Sequence, residues 1–127
     1  MKSLIAVPVL ALWFASAQVS AACLYITDSY GGVLEADAEV VAYGPFSMTA
    51  ANGCIGATIE VTLSIGGGGK GARTKIERLM GGGAWLDVGG NFGSKASFSG
   101  PHGTYRLSLK NPDSFAKPYS GTVNYGR

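Results

Sequence analysis

Few residues in this sequence of 127 could carry out acid–base chemistry. There is one histidine, His102, which lies between Pro101 and Gly103 in a segment typical of a turn. Catalysis at a histidine needs a nucleophile and an orienting acid nearby, and no motif marks either of them. No serine lies in a G-x-S-x-G sequence. The sequence therefore predicts a protein without enzymatic activity.

Metal ligands are equally sparse. One histidine and two oxidisable cysteines make a poor zinc set. Glu35, Asp37 and Glu39 alternate along one segment and offer the oxygen ligands that calcium prefers. However, acids spaced by two are also typical of a solvated strand face, which is the interpretation we favour. We expect neither a metal ion nor another cofactor.

The two cysteines, Cys23 and Cys54, allow two interpretations. Cys23 directly follows Ala21 and Ala22, so it is a candidate for lipid attachment. A lipidated cysteine usually has an aliphatic residue three positions earlier, where this chain has Ser20. Two cysteines in an exported chain are most simply one disulfide, which we favour. Closing a loop of about 30 residues would stabilise the fold by about 3–4 kcal/mol.

The first 21 residues have the features of a signal peptide. Lys2 precedes an apolar run from Leu4 to Phe14, and small residues follow up to Ala21. We expect cleavage after Ala21, with Ala17 as the alternative, and a single domain over residues 22–127. The apolar run is too short for a membrane-spanning helix. The sequence thus predicts export to the periplasm or the exterior, with a lipid anchor at Cys23 as the less favoured alternative.

Trp85 is the best candidate for an exposed contact residue. Ala84, Leu86 and Val88 alternate with it, so a strand there would point Trp85 outward. The alternative is that strand twist or a bulge turns the ring into the core. Exposed tryptophans are enriched among contact hot spots. Three basic residues precede it and would steer an acidic partner to the same side if their segment pairs with residues 84–88: Arg73, Lys75 and Arg78.

Charge is unevenly distributed along the chain. Residues 23–69 contain five acids and no base, a net charge of −5. Residues 70–127 contain nine bases and three acids, a net charge of +6. If the halves separate in space, the molecule has unlike faces that suit an acidic partner or self-association. If they intermix, the dipole largely cancels. The bases are too dispersed to indicate nucleic-acid binding.

The elements that position these residues are predicted to be strands. Alternation is most regular in Thr58–Ile65 and in Gly103–Tyr125, which divides into two strands around Asn111–Ser114. Thr74–Met80 fits a strand or a short helix, and we favour the strand. Turns are expected at residues 28–32, 66–69, 81–83 and 89–91, and Gly44–Pro45 is expected to end an element. Other strands are predicted at 23–27, 35–43, 46–50, 84–88 and 96–99, with a short helix as the alternative for the Ala- and Glu-rich segment 35–43. The fold predicted is all-β, an antiparallel sandwich of jelly-roll type with seven to eight short strands and glycine-rich turns.

Three sequences in the second half carry a family resemblance: AWLDV, GTYRLSL after a glycine turn, and the closing YSGTVNY. With them, residues 74–125 resemble bacterial pre-peptidase C-terminal domains. The resemblance implies a small secreted β-sandwich related to carbohydrate- or matrix-binding modules, without site residues to carry over. A looser similarity to chaperone–usher pilins rests on the two cysteines and the closing strand. The short segment before Cys23 counts against it.

These observations favour a non-enzymatic, exported binding module of the bacterial cell envelope that contacts a protein or glycan partner. The alternative is a structural subunit of a surface or pilus-like assembly, in which the protein associates with itself. A small secreted hydrolase is the third hypothesis, since sandwiches sometimes carry dispersed catalytic residues.

Overall fold

In the computed structural model, which describes residues 23–127, the chain forms eight β-strands. No helix in this range is long and apolar enough to cross a membrane. The predicted signal peptide and its cleavage site lie outside the described residues. The strands are β1 (Tyr25–Leu34), β2 (Glu39–Met48), β3 (Ala57–Ile65), β4 (Arg73–Leu79), β5 (Trp85–Phe92), β6 (Lys95–Gly100), β7 (Gly103–Lys110) and β8 (Lys117–Gly126).

The strands form two antiparallel sheets of four. Sheet A has the order β1-β8-β3-β6, and sheet B has the order β2-β7-β4-β5. Side chains from both sheets form one buried cluster between them. The all-β, antiparallel sandwich with seven to eight strands that the alternation predicted is therefore confirmed. Both sheets combine strands from the acidic and the basic half of the sequence, so the two halves intermix.

The alternation of apolar and polar residues along β3 and β7 determines which side chains form the core. Ile59 and Val61 of β3 and Leu107 and Leu109 of β7 are each 2% exposed or less. The residues between them point outward, because successive side chains of a strand lie on opposite faces. Burying a large aliphatic side chain contributes roughly 1.5–3 kcal/mol, so these positions dominate the stability of a domain this small.

The first two strands have other boundaries than predicted. The expected turn at 28–32 is wrong, because β1 continues through these residues in unbroken register with β8. Glu35 and Asp37 do not belong to a strand; they lie in the turn before β2, which begins at Glu39. Gly44–Pro45 does not end the element, because β2 continues to Met48 with two register shifts and a cis peptide bond between these residues.

The two strands predicted within Gly103–Tyr125 belong to different sheets. β7 pairs with β2 and β4, and β8 pairs with β1 and β3. Residues 111–116 therefore cross from one sheet to the other rather than forming a hairpin. Asn111 is fully buried and its amide donates to the carbonyls of Leu34, Glu35 and Phe115, which fixes this crossing.

Cys23 and Cys54 form a disulfide with an S–S distance of 1.97 Å, as predicted. The bond joins the residues before β1 to the loop before β3. The pairing occupies the sulfur that lipid attachment at Cys23 would need. The segment Thr74–Met80, for which a strand was favoured over a short helix, is a strand, because Arg73–Leu79 forms β4.

The loop before β4 is held at its end by a buried cation. The Lys117 ammonium is 0% exposed; it donates to the Gly71 carbonyl at 3.0 Å and pairs with the Asp113 carboxylate. Asp113 also accepts from the Lys70 amide at 2.8 Å. The hydrogen bond from Lys117 lowers the pKa of Asp113.

A glycine lies at the centre of sheet A where the neighbouring strands leave no room for a side chain. A Cβ added at Gly121 would lie 2.0 Å from the Thr62 carbonyl oxygen and 2.6 Å from the Tyr30 hydroxyl. The Tyr30 hydroxyl donates to the same carbonyl at 2.6 Å. Tyr30 therefore crosses over Gly121 and joins β1 to β3.

Candidate functional site

Trp85 opens β5 and lies on the outer face of sheet B. It is paired with Leu79 across the β4–β5 hairpin, and the register places it on the same face as Arg106 of β7. The guanidinium carbon of Arg106 lies 4.2 Å from the centroid of the indole ring. One side of the ring is thus covered, and Trp85 is half-buried. Its role in partner contact stays a prediction.

Arg106 is itself held by a buried carboxylate. Its Nε donates to Glu77 Oε1 at 3.0 Å, and the Ser108 hydroxyl donates to the same oxygen. Glu77 is 7% exposed although it points to the outer face. The arrangement fixes the guanidinium over Trp85, because a charge-assisted hydrogen bond is stronger and more directional than one between neutral groups.

Sequence reasoning missed this Glu77–Arg106–Trp85 arrangement. The alternation within each strand does indicate that these three side chains point to the outer face. Their contact depends on the pairing of β4 with both β5 and β7, and the sequence carries no direct signal of that register.

The tip of the β4–β5 hairpin exposes apolar side chains on both of its faces. Leu79, on the outer face, is 37% exposed, and Met80 next to it is 38% exposed. Leu86 pairs with Arg78 on the opposite face and is 51% exposed. The hairpin therefore projects beyond the packed core. We use the name hairpin tip for the set Leu79, Met80, Trp85 and Leu86.

Two of the three predicted basic contact residues share the face of Trp85. Arg73 pairs with Asp87 at 3.0 Å, and Lys75 pairs with Glu39 at 3.1 Å. Each positive charge is therefore offset by a neighbouring carboxylate, which weakens long-range steering of an acidic partner.

Arg78 lies on the other face of β4. It is paired with Tyr105, whose side chain is in the core, and its guanidinium donates to the His102 carbonyl at 3.3 Å. The residue does not join the surface around Trp85. Burial raises the pKa of Tyr105, and the nearby Arg78 partly opposes that shift.

His102 is partly buried and makes a contact between two loops. Its Nε2 lies 2.8 Å from the Cys54 carbonyl, so the ring joins the loop before β7 to the loop before β3. Within residues 23–127, no three His, Cys, Asp or Glu side chains lie close enough together to hold a metal ion.

An open cleft of about 580 Å³ lies between the end of β5 and the edge of sheet A. Its polar lining includes Glu60, Thr62, Asn91, Lys95 and Ser97. None of the predicted contact residues belongs to this lining. The cleft has an acid and a base from neighbouring strands, Glu60 of β3 and Lys95 of β6.

No family model matches the sequence, and a search of curated proteins gives no match. Among solved structures, a mitogen derived from Yersinia pseudotuberculosis is 15% identical, with 79% of this chain and 86% of that chain covered and a TM-score of 0.60. At this identity the likeness concerns the fold.

Two further solved structures are similar at lower TM-scores. A protein of the disulfide-linked pili that form Bacillus endospore appendages is 18% identical, with 85% and 93% of the two chains covered and a TM-score of 0.42. A periplasmic inhibitor of g-type lysozyme from Aeromonas hydrophila is 19% identical, with 83% and 87% covered and a TM-score of 0.40. At these scores neither bears on function.

Proposed function

We propose that this protein is an exported, non-enzymatic binding module that contacts a protein partner through the hairpin tip. The observation that carries the proposal is the exposure of Leu79 on the same face as a tryptophan whose ring is fixed beneath Arg106, with Met80 and Leu86 also exposed at the same tip. A projecting set of apolar side chains is costly in water unless a partner covers it.

The residue types at the hairpin tip support a protein partner. Trp, Met and Arg are enriched in the centres of protein interfaces, where a few anchors supply most of the binding energy. Glu77 already orders Arg106, and Arg106 already orders Trp85, so less side-chain entropy is lost on binding. Because Arg73 and Lys75 are ion-paired, we expect the partner to be recognised by an apolar pocket rather than by acidic charge.

Export is part of the same proposal. The leader has the features of a signal peptide, and the Cys23–Cys54 disulfide suits an oxidising compartment. The non-enzymatic part is supported by the structural contact of His102, the one histidine of the chain, with the Cys54 carbonyl.

Site-specific photo-crosslinking in producing cells tests the contact. The full-length chain carries p-benzoylphenylalanine in place of Leu79, and the matched control carries it in place of Ile55, which is fully exposed and lies on another loop. We expect one discrete adduct at position 79 and none at position 55. Addition of Trp85→Ala should remove the adduct without unfolding the protein.

The dissociation constant measured between this protein and the isolated partner completes the test. A hot-spot tryptophan contributes about 2 kcal/mol or more, so Trp85→Ala should weaken binding by about 30-fold, and Ile55→Ser should leave it unchanged. Equal crosslinking at both positions, or unchanged binding by a folded Trp85→Ala variant, would overturn the proposal.

A further inference from the structure

The four edge strands of the sandwich differ in how they discourage pairing with another chain. β2 carries Pro45 and two register shifts, and β5 carries one register shift. β6 is six residues long and begins with Lys95. β1 has ten residues, an unbroken register with β8, and neither proline nor a basic residue. Edge strands without such devices are templates for strand addition.

The free hydrogen-bonding groups of β1 can be assigned from its pairing with β8. Leu24 and Arg127 exchange both backbone hydrogen bonds, at 3.3 and 2.7 Å. In an antiparallel pair every second residue is bonded in this way, and the residues between point their N–H and C=O groups to the other side. The outward set in β1 is therefore Tyr25, Thr27, Ser29, Gly31 and Val33, and all five are exposed.

The five outward residues of this edge are also uncharged. The one charged residue of β1 is Asp28, whose register with Val123 directs it toward sheet B. The Tyr43 hydroxyl donates to the Asp28 carboxylate at 2.7 Å and lies 3.2 Å from the Tyr125 hydroxyl. Burial and these hydrogen bonds raise the pKa of Tyr43, so the phenol keeps its proton and remains a donor.

We propose that β1 pairs antiparallel with β1 of a second copy of this chain, about a two-fold axis at Ser29. In that register Ser29 faces Ser29 of the second copy, Thr27 faces Gly31, and Tyr25 faces Val33. The five outward residues of each copy then exchange about ten N–H···O bonds. The two sheets A become one continuous eight-stranded sheet, and the interface is closed because each copy contributes the same edge.

The sequence of the edge favours a second copy as the occupant. Tyr25 and Val33 are each 59% exposed, and the two-fold register places them opposite one another at both ends of the interface. An aromatic and a β-branched side chain form a favourable cross-strand pair. The hydroxyls of the two Ser29 residues meet at the axis, and no like charges face each other.

Cysteine crosslinking of the full-length, exported protein tests the register. Directly opposed residues of a bonded pair have Cα atoms about 5.5 Å apart, within reach of a disulfide. Ser29→Cys should give a covalent dimer on mild oxidation. Tyr25→Cys is the matched control on the same edge, because the two positions would lie about 27 Å apart across the axis. It should remain monomeric in a denaturing gel.

Sedimentation equilibrium tests the interface without a crosslink. Ser29→Lys places two ammonium groups opposite each other at the axis and should raise the dimer dissociation constant by about tenfold. Ser64→Lys introduces the same charge on the outer face of β3, away from the edge, and should leave the constant unchanged.

A monomer at every concentration, together with no Ser29→Cys dimer, would overturn the proposal. Crosslinking of Tyr25→Cys as readily as Ser29→Cys would overturn the two-fold register. A ladder of higher oligomers would show an open, head-to-tail assembly instead.

Discussion

The outer faces of the two sheets expose different chemistry over the same kind of core. On sheet B, two ion pairs join neighbouring strands, Arg73–Asp87 and Arg106–Glu77, and a third, Lys75–Glu39, joins β4 to β2 across β7. On sheet A, the outward positions of β3, β6 and β8 are mostly serine and threonine, with Glu60 and Lys95 as the charged exceptions. There the cross-strand contacts use uncharged side chains: the Thr62 and Thr122 hydroxyls lie 2.7 Å apart, and the Asn124 amide donates to the Thr27 hydroxyl at 2.6 Å.

This difference suggests a division of labour between the sheets. Ion pairs fix long side chains in one geometry, which suits recognition by a tryptophan and an arginine on sheet B. Short hydroxyl side chains on sheet A offer few specific contacts, and they leave the backbone at the β1 edge accessible. The two proposals thus use different groups: recognition of another protein uses side chains of sheet B, and pairing with a second copy uses the main chain of sheet A.

The largest expected effect is at the buried carboxylate of sheet B. Glu77→Ala removes the counter-charge of Arg106 and the acceptor of the Ser108 hydroxyl, and should cost about 3 kcal/mol of unfolding free energy. Urea unfolding at neutral pH measures it. Glu60→Ala, at an exposed glutamate of sheet A, should change stability by about 0.5 kcal/mol or less. Equal losses at both positions would remove the distinction between the faces.

The second largest effect is a loss of stability at alkaline pH, caused by Tyr30 on the inner face of sheet A. Burial raises the pKa of Tyr30 to about 12, with a smaller contribution from Tyr119. Below pH 10 the phenol is protonated in both folded and unfolded chains, so its full contribution to the free energy of unfolding is present. Between pH 10 and 12 the unfolded chain loses its proton first, and roughly 2 kcal/mol of stability is lost. The melting temperature of Tyr30→Phe should fall less steeply over this window; parallel curves for the two proteins would contradict the shift.

Hydroxyl pairing on sheet A should contribute less. Thr62→Val removes the bond to the Thr122 hydroxyl and an acceptor of the Thr122 amide, but keeps the shape and the strand propensity. We expect a loss of about 0.5–1 kcal/mol. Thr58→Val, on the same face of the same strand, is the control. A larger loss than at Glu77 would reverse the comparison.

The smallest effect is expected at an exposed ion pair of sheet B. Lys75→Met removes the partner of Glu39, whose side chain is 43% exposed, and should cost about 0.5 kcal/mol or less. The difference from the unmodified protein should shrink in concentrated salt, because salt screens exposed charges. A large cost that does not respond to salt would mean that this pair is as tightly coupled as Arg106 and Glu77.

Local patterns predicted most of the strands but not their partners. The alternation of β3 and β7 identified the core, because period-two burial is a property of a single strand. The same alternation does not tell whether the segment between β7 and β8 turns back or crosses to the other sheet. That choice depends on the buried amide of Asn111, which donates to one nearby carbonyl, that of Phe115, and to two consecutive carbonyls far away in the sequence, those of Leu34 and Glu35.

Glycines were the main source of wrong boundaries. Gly31 and Gly32 read as a turn, but in β1 they lie where Tyr119 of β8 approaches: a Cβ at Gly32 would be 3.0 Å from the Tyr119 hydroxyl oxygen. A glycine within a strand therefore marked close approach rather than reversal. At the candidate site, the outward direction of Trp85 followed from parity, whereas its contact with Arg106 required the order of the strands.

Gly121 has a consequence for how the strands of sheet A find their alignment. The space under the Tyr30 ring accepts a residue without a Cβ, and only one position in the middle of β8 provides it. A slip of two residues would keep the hydrophobic face correct but would bring Tyr119 or Val123 beneath the ring. The absence of a Cβ at Gly121 therefore selects one register of β1, β8 and β3. It disfavours the two-residue slips that alternation alone would allow.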